Sequence, residues 1–301
     1  MRIGFVMPLI VLAITAPSPV TARDDPPRMV LVGSEFSHLV HTGDSLASLG
    51  ARFGVDAATL ARENNLKINA RLKEAQIVRI DNRHIVPDTG RNGIVINVPQ
   101  RMLFLFDSTR LVASYPVGLG RPGWPTPVGP FTVLLKEIDP VWDVPPSIQE
   151  EMRRQGKLVV TRVLPGPQNP LGRHWIGTSQ RNLGIHGTVE PASVYRFQSH
   201  GCIRLHPDDV ADLFPRVGVG TPGEIVYLPV LMARASGGAV YLEVHKDIYR
   251  RAGDLWTRVE ESVEKLGAQS DVNWALARVV VRAQEGVARD VSVRLDQPPG
   301  R

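Results

Sequence analysis

The spacing of apolar positions changes along this chain, and each change predicts a different kind of element. His38, Leu39 and Val40 read as a short strand, after which Leu46, Leu49 and Phe53 recur at helical spacing. Asp44 or Ser45 stands where an N-cap belongs, and Gly54 ends that helix. Asp56 caps a second helix carrying Ala57, Leu60 and Ala61, and Gln76 to Ile80 reads as a closing strand. Residues 34–82 are therefore expected to form a β-α-α-β unit. From residue 91 the pattern becomes that of strands. Ile94 to Val98 is apolar and β-branched, as in a buried strand. Met102 to Phe106 follows across the turn Pro99-Gln100-Arg101, then Leu111 to Val117, Phe131 to Leu135 and, late, Glu224 to Leu228. Gly118 to Pro130, dense in Gly and Pro, reads as a loop. Such strands and turns predict an all-β sandwich or barrel over 91–230, with short helices only at 147–155 and 208–214. Ile138 to Pro170 lacks strand alternation and is rich in proline. Its length suits a lid or substrate wall, and Trp124 and Trp142 are candidates either to line a substrate or to serve packing alone.

Over 231–301, Ala239 to Val244 reads as a strand. A helix from about Asp247 to Leu266 would align Leu255, Val259, Val263 and Leu266, and a second near Asp271 would align Trp274, Ala277 and Val281. The stretch after Val293 is expected to be disordered. This extension is expected to pack on the preceding domain and to carry no chemistry. The fold class is thus a mainly β domain between a small βααβ unit and a C-terminal strand with helices.

The 301 residues suffice for two domains, and their net charge of +5 favours anionic surroundings. Aromatics are only 6% of the chain and do not interleave with a basic run, which argues against nucleic acid as a partner. Residues 1–22 read as a secretory signal: Arg2, an apolar run from Ile3 to Ile14, and Val20-Thr21-Ala22 as a cleavage site. Arg23 to Met29 then reads as a short linker. An exported protein meets an oxidising compartment, where cysteines usually pair. Cys202 is the single cysteine, has no internal disulfide partner, and is marked as a reactive thiol.

The chemistry gathers around it, in IHGTVEPASVYRFQSHGCIRL at 185–205. A thiol attacks as the thiolate, and a histidine is the usual acceptor of its proton. His186-Gly187 lies sixteen residues before Cys202, and Ser199-His200-Gly201 immediately precedes it. Gly201 allows a tight turn that leaves the sulfur accessible. The N–H groups of Gly201 and Cys202 are candidates for an oxyanion hole. His174 and His206 are read as structural. His38 and His41 have no third ligand at metal spacing, so neither metal nor cofactor is expected.

The run IHGT with SHGCIRL, together with WPTPVGPFTV at 124–133 and NPLG at 169–172, resembles the signature of the YkuD-type (ErfK/YbiS-like) L,D-transpeptidases over roughly 92–229. Arg204 stands where many members carry Asn, a form similar to the enterobacterial-type subgroup. The resemblance implies a cell-wall enzyme in which Cys202 is the nucleophile and His186 the proton donor and acceptor. Ser199, His200, Gly201 and Gly187 would then support the turn, and Arg204 would hold a substrate carboxylate. The expected substrate is a peptidoglycan stem tetrapeptide. The acceptor is left open between diaminopimelate, an outer-membrane lipoprotein lysine and a D-amino acid, as is the rival outcome, hydrolysis. A non-catalytic wall-binding scaffold is the alternative of another class. Residues 36–80 resemble a LysM module, which binds glycan strands. The resemblance rests on His38-x-Val40, Gly43-Asp44-Ser45-Leu46, Phe53-Gly54-Val55, Asn64-Asn65 and Gln76-Ile77, with Ala75 where the pattern has Gly. The expected location is the periplasm or cell wall.

Overall fold

The computed structural model describes residues 31–90 and 92–293, so the expected signal, linker and disordered C-terminus lie outside the described residues. In the N-terminal unit, β1 (Glu35–Leu39) pairs antiparallel with β2 (Ile77–Asp81). Between them, α1 (Leu46–Phe53) begins at Ser45, whose hydroxyl accepts the Ser48 N–H at 3.1 Å in a capping box. It ends at Gly54, which takes the left-handed φ of 74°. Asp56 caps α2 (Ala57–Glu63) as expected. Leu46, Leu49, Leu60, Val78 and Ile80 form the core of this unit. Ala75 keeps the turn of the pattern by adopting φ 62°, a conformation that suits glycine better.

The middle of the chain is a closed β-sheet. Its strands are β3 (Gly93–Asn97), β4 (Met102–Asp107), β5 (Arg110–Gly120), β6 (Gly129–Ile138), β7 (His174–Thr178), β8 (Gly184–His186), β9 (Phe197–Ser199), β10 (Ile203–Leu205) and β11 (Pro222–Val226). The order is β9-β5-β10-β8-β7-β6-β11-β3-β4, and β5 closes the ring by pairing with β4 as well. Closure lets alternate residues of every strand face one interior, filled by Ile94, Leu103, Val117, Phe131, Ile176, Ile203 and Ile225. The stretch read as a loop from Gly118 begins as strand, because β5 runs on to Gly120 and pairs with both β10 and β9. The expected helices appear as α3 (Pro146–Arg154) and α4 (Pro207–Arg216). The segment 138–170 also contains a small strand pair, Trp142–Asp143 with Arg162–Val163, too short to show as alternation.

In the extension, β12 (Val230–Arg234) pairs with β13 (Val240–Val244), and α5 (Leu255–Leu266) and α6 (Trp274–Ala283) pack on them through Val259, Val263 and Ala277. The expected helix start near Asp247 is corrected to Leu255. The Asp247 carboxylate accepts the Tyr227 hydroxyl and the N–H groups of Arg251 and Ala252, which folds 247–253 into a loop before Asp254 caps α5. The extension also packs on more than the barrel. Val287 enters the core of the N-terminal unit, Arg289 pairs with Glu63 and Asp81, and the Thr59 hydroxyl donates to the Glu285 carbonyl at 3.2 Å.

Candidate active site

The two histidine–glycine motifs are brought together by strand register. β8 and β10 are parallel neighbours, with Ile185 opposite Ile203 and His186 opposite Arg204. His186 ends β8 and Cys202 immediately precedes β10, so residues far apart in sequence line one cavity of about 310 Å³. Ser199, His200 and Arg204 line it too, with Trp124 and Trp142.

The turn before Cys202 is built by Ser199. Its buried hydroxyl donates to the Cys202 carbonyl at 2.6 Å and accepts the Gly201 N–H at 3.1 Å. Gly201 sits at φ 111°, where a side chain would be strained. The Gly201 N–H, one of the two expected oxyanion donors, is thus engaged by Ser199. The Gly201 carbonyl accepts the Thr126 hydroxyl at 2.8 Å.

His186 is 4% exposed, and its Nδ1 lies 2.6 Å from the Gly187 carbonyl. A carbonyl only accepts, so Nδ1 carries the hydrogen and Nε2 presents a lone pair. Gly187 thus orients the ring through its backbone. The Trp175 indole stacks on the imidazole with centroids 5.7 Å apart. Gly184 makes room for it, since a Cβ there would lie 2.2 Å from the indole. Burial, and then the Arg204 guanidinium, push the His186 pKa down to about 4. Burial likewise pushes the Cys202 thiol up, against the Gly184 N–H and Arg204, which favour the thiolate. The Cys202 Sγ lies 3.6 Å from the Asn182 carbonyl. Both shifts favour the uncharged forms, a thiol and an imidazole lining the same cavity. Arg204 lines the cavity too, with its Nε buried and without a hydrogen-bond partner.

Sequence spacing did not reveal Glu151. From α3 its carboxylate accepts Arg121 at 2.5 Å and meets His200 Nε2 at 2.6 Å. Arg121, and next His200, hold that carboxyl at about 2. His200 therefore fastens the 138–170 segment over the cavity, and Trp124 packs on it at 5.1 Å. His174 packs on Phe214, and His206 caps α4 through the Asp208 N–H, both structural as expected. At His38 and His41 the structure supplies the third group of ligand type that the spacing concealed. Asp44 lies 3.0 Å from His38 and 3.8 Å from His41 across a turn, and the three ligand atoms lie within 4.8 Å of one another.

Residues 91–225 match the family described as the L,D-transpeptidase catalytic domain, YkuD, and residues 38–81 match the LysM domain. The probable L,D-transpeptidase ErfK/SrfK of Escherichia coli K12 is 32% identical over 81% of this chain and 77% of its own length. The probable L,D-transpeptidase YbiS of the same strain is 30% identical over 71% of this chain and 72% of its own. Among solved structures, the catalytic domain of an E. faecium L,D-transpeptidase, determined by NMR, is 20% identical over 46% of this chain and 100% of that one, with a TM-score of 0.35.

Proposed function

The chain belongs to the YkuD-type L,D-transpeptidase family and carries a LysM domain, and from that membership we propose a donor, a residue assignment and a place of action. Cys202 Sγ attacks the carbonyl of the third residue of a stem tetrapeptide. His186 Nε2 takes the thiol proton and passes it to the departing D-alanine amine as the C–N bond breaks. The Cys202 N–H faces the developing oxyanion. An acceptor amine then opens the thioester, losing its proton to Nε2 and returning the thiol. Arg204 holds a carboxylate of the donor, which its unpaired Nε and planar fork suit. Ser199, Gly201, His200 and Gly187 hold the turn and the ring.

The observation that carries these assignments is the parallel β8–β10 register, with the His186 imidazole and the only thiol lining one cavity. The N-terminal module, with its glycan-binding type of fold, would hold the protein on peptidoglycan in the periplasm or wall. No helix among the described residues is long and apolar enough to cross a membrane. The acceptor is an amine, as in 3-3 cross-linking or lipoprotein attachment.

The test is mass spectrometry of the protein mixed with tetrapeptide muropeptides, beside Cys202→Ala. The expected result is a tripeptide adduct on Cys202 with release of D-alanine, absent in the variant, and an amide product when an amine is added. Folded protein that forms no adduct and releases no D-alanine would overturn the assignment.

A further inference from the structure

The loop that follows β5 connects the catalytic turn to the C-terminal extension. Thr126 Oγ1 donates to the Gly201 carbonyl at 2.8 Å and accepts the Gly120 N–H at 2.9 Å. Gly120, in turn, stands opposite Ser199 in the β5–β9 register, and the next N–H, of Arg121, donates to the Ser199 carbonyl at 3.0 Å. Ser199 is the residue that builds the Cys202 turn. The loop 120–126 is tight: a Cβ on Gly120 would lie 2.1 Å from the Trp124 carbonyl. One side chain from outside the barrel closes this arrangement. Tyr249, in the loop before α5, donates its hydroxyl to the Gly120 carbonyl at 2.5 Å and accepts the Thr126 N–H at 3.1 Å. Its ring is fixed by Phe197 of β9 at 5.9 Å and by stacking on Tyr227 at 5.7 Å.

We infer that Tyr249 is a positioning residue for the reaction, acting through Thr126 and Gly201 to hold Cys202 at its attack angle, and that the extension exists in part to deliver it. The inference rests on Cys202 as the nucleophile. The two hydrogen bonds of the Tyr249 hydroxyl clamp both ends of the 120–126 loop. The Thr126 hydroxyl passes that constraint to Gly201, whose φ of 111° has no side chain to fix it. Without the phenol, the Gly120 carbonyl and Thr126 N–H lose a shared partner in a half-buried place. The catalytic turn then relaxes toward a wider set of orientations. Misplacing a nucleophile by about an ångström is enough to slow a reaction by roughly a hundredfold.

The experiment uses the full chain with Tyr249→Phe, Thr126→Val, Thr126→Ser and Arg234→Ala. The last breaks the Arg234–Asp271 pair, which lies inside the extension away from the site. Each variant is measured for thermal unfolding, for kcat and KM of D-alanine release, and for the rate at which iodoacetamide alkylates Cys202 as pH is varied. The expected result is a fall of roughly tenfold or more in kcat for Tyr249→Phe and Thr126→Val with KM unchanged. Their alkylation pH profiles should be displaced from wild type, Thr126→Ser should restore both, and Arg234→Ala should lower only the unfolding temperature. The inference is overturned if Tyr249→Phe and Thr126→Val, measured per folded molecule, turn over and alkylate as wild type. It is equally overturned if Arg234→Ala loses as much activity as they do, since the effect would then be general loosening. A wild-type protein that is never acylated on Cys202 would instead overturn the nucleophile assignment, and the two failures are separable.

Discussion

The most informative perturbation of this site is pH. His186 is buried against Trp175 and faces Arg204, and its pKa falls from an ordinary 6.5 to about 4. That difference corresponds to about 3 kcal/mol in favour of the neutral ring. At pH 7 an ordinary imidazole is protonated in roughly one molecule in four, and this one in roughly one in a thousand. The base is thus ready without prior deprotonation across the neutral and mildly acid range. The assay is kcat/KM for D-alanine release between about pH 4.5 and 9, which reports ionisations of the free enzyme. The expected profile has no acid limb above about pH 5.5. In Arg204→Met the acid limb should move upward but stay below the ordinary histidine value, because burial, the larger cause, remains. The sign for stability follows the same window. Between about 4 and 6.5 the unfolded chain binds the proton that folded His186 refuses, so this contribution is present above about 6.5 and lost as pH falls toward 4. An acid limb centred between pH 6 and 7 would refute the reasoning, showing a ring open to water or paired with a thiolate.

Other outcomes follow from the same contacts. Gly184→Ala should drive the indole off His186, costing roughly 1–3 kcal/mol in denaturant unfolding and at least about tenfold in single-turnover acylation; unchanged values would mean that the stack does not hold the ring. Glu151→Gln removes the charge that binds Arg121 and His200, and should raise KM for the donor several-fold while leaving kcat near wild type, as steady-state kinetics would show; a fall in kcat alone would place Glu151 in the chemistry instead. Ala75→Gly relieves a left-handed alanine and should stabilise the protein by about 0.5–1 kcal/mol in urea titration, whereas destabilisation would show that the turn gains more from alanine's restricted unfolded state.

The parts legible in the sequence are those whose signal is local. Apolar periodicity located α1, α2 and most barrel strands, and the cap residues Ser45 and Asp56 and the stop Gly54 carried their own geometry. Cys202, His186 and the Ser199-His200-Gly201 turn were legible as a candidate site because single residue types with distinctive chemistry stood together. What escaped was set by distant pairing. The continuation of β5 to Gly120 runs through glycine and proline because its partners β9 and β10 lie about eighty residues later and supply the order that composition withholds. Glu151 lies fifty-one residues before Cys202, and nothing in its surroundings distinguishes it from a solvated helix glutamate until the segment folds over the cavity. The start of α5 is hidden because Asp247 reads as a cap by type, yet its carboxylate is taken by Tyr227 and by a loop. Tyr249 lies in that same loop, in a tail whose sequence shows no chemistry.

That tail also changes how the parts relate. Glu243 on β13 is fully buried, and its carboxylate accepts His84 Nδ1 at 2.8 Å, His245 Nε2 at 2.7 Å, the Ile85 N–H at 2.5 Å and the Gln100 amide at 3.1 Å. His84 reaches on to the Gly54 carbonyl at the end of α1, and Gln100 sits in the β3–β4 turn. A buried carboxylate deprived of such partners costs several kcal/mol. The N-terminal module, the barrel and the extension thus meet at one charge that requires all three. A glycan module on a flexible linker would raise the local concentration of the enzyme on its substrate without orienting it. One whose α1 terminus, through His84, shares a carboxylate with the barrel and with the extension that bears Tyr249 would present the cleft to a bound glycan strand in a fixed relation. In this protein the extension therefore joins the module that would hold the wall to the turn that would carry the nucleophile.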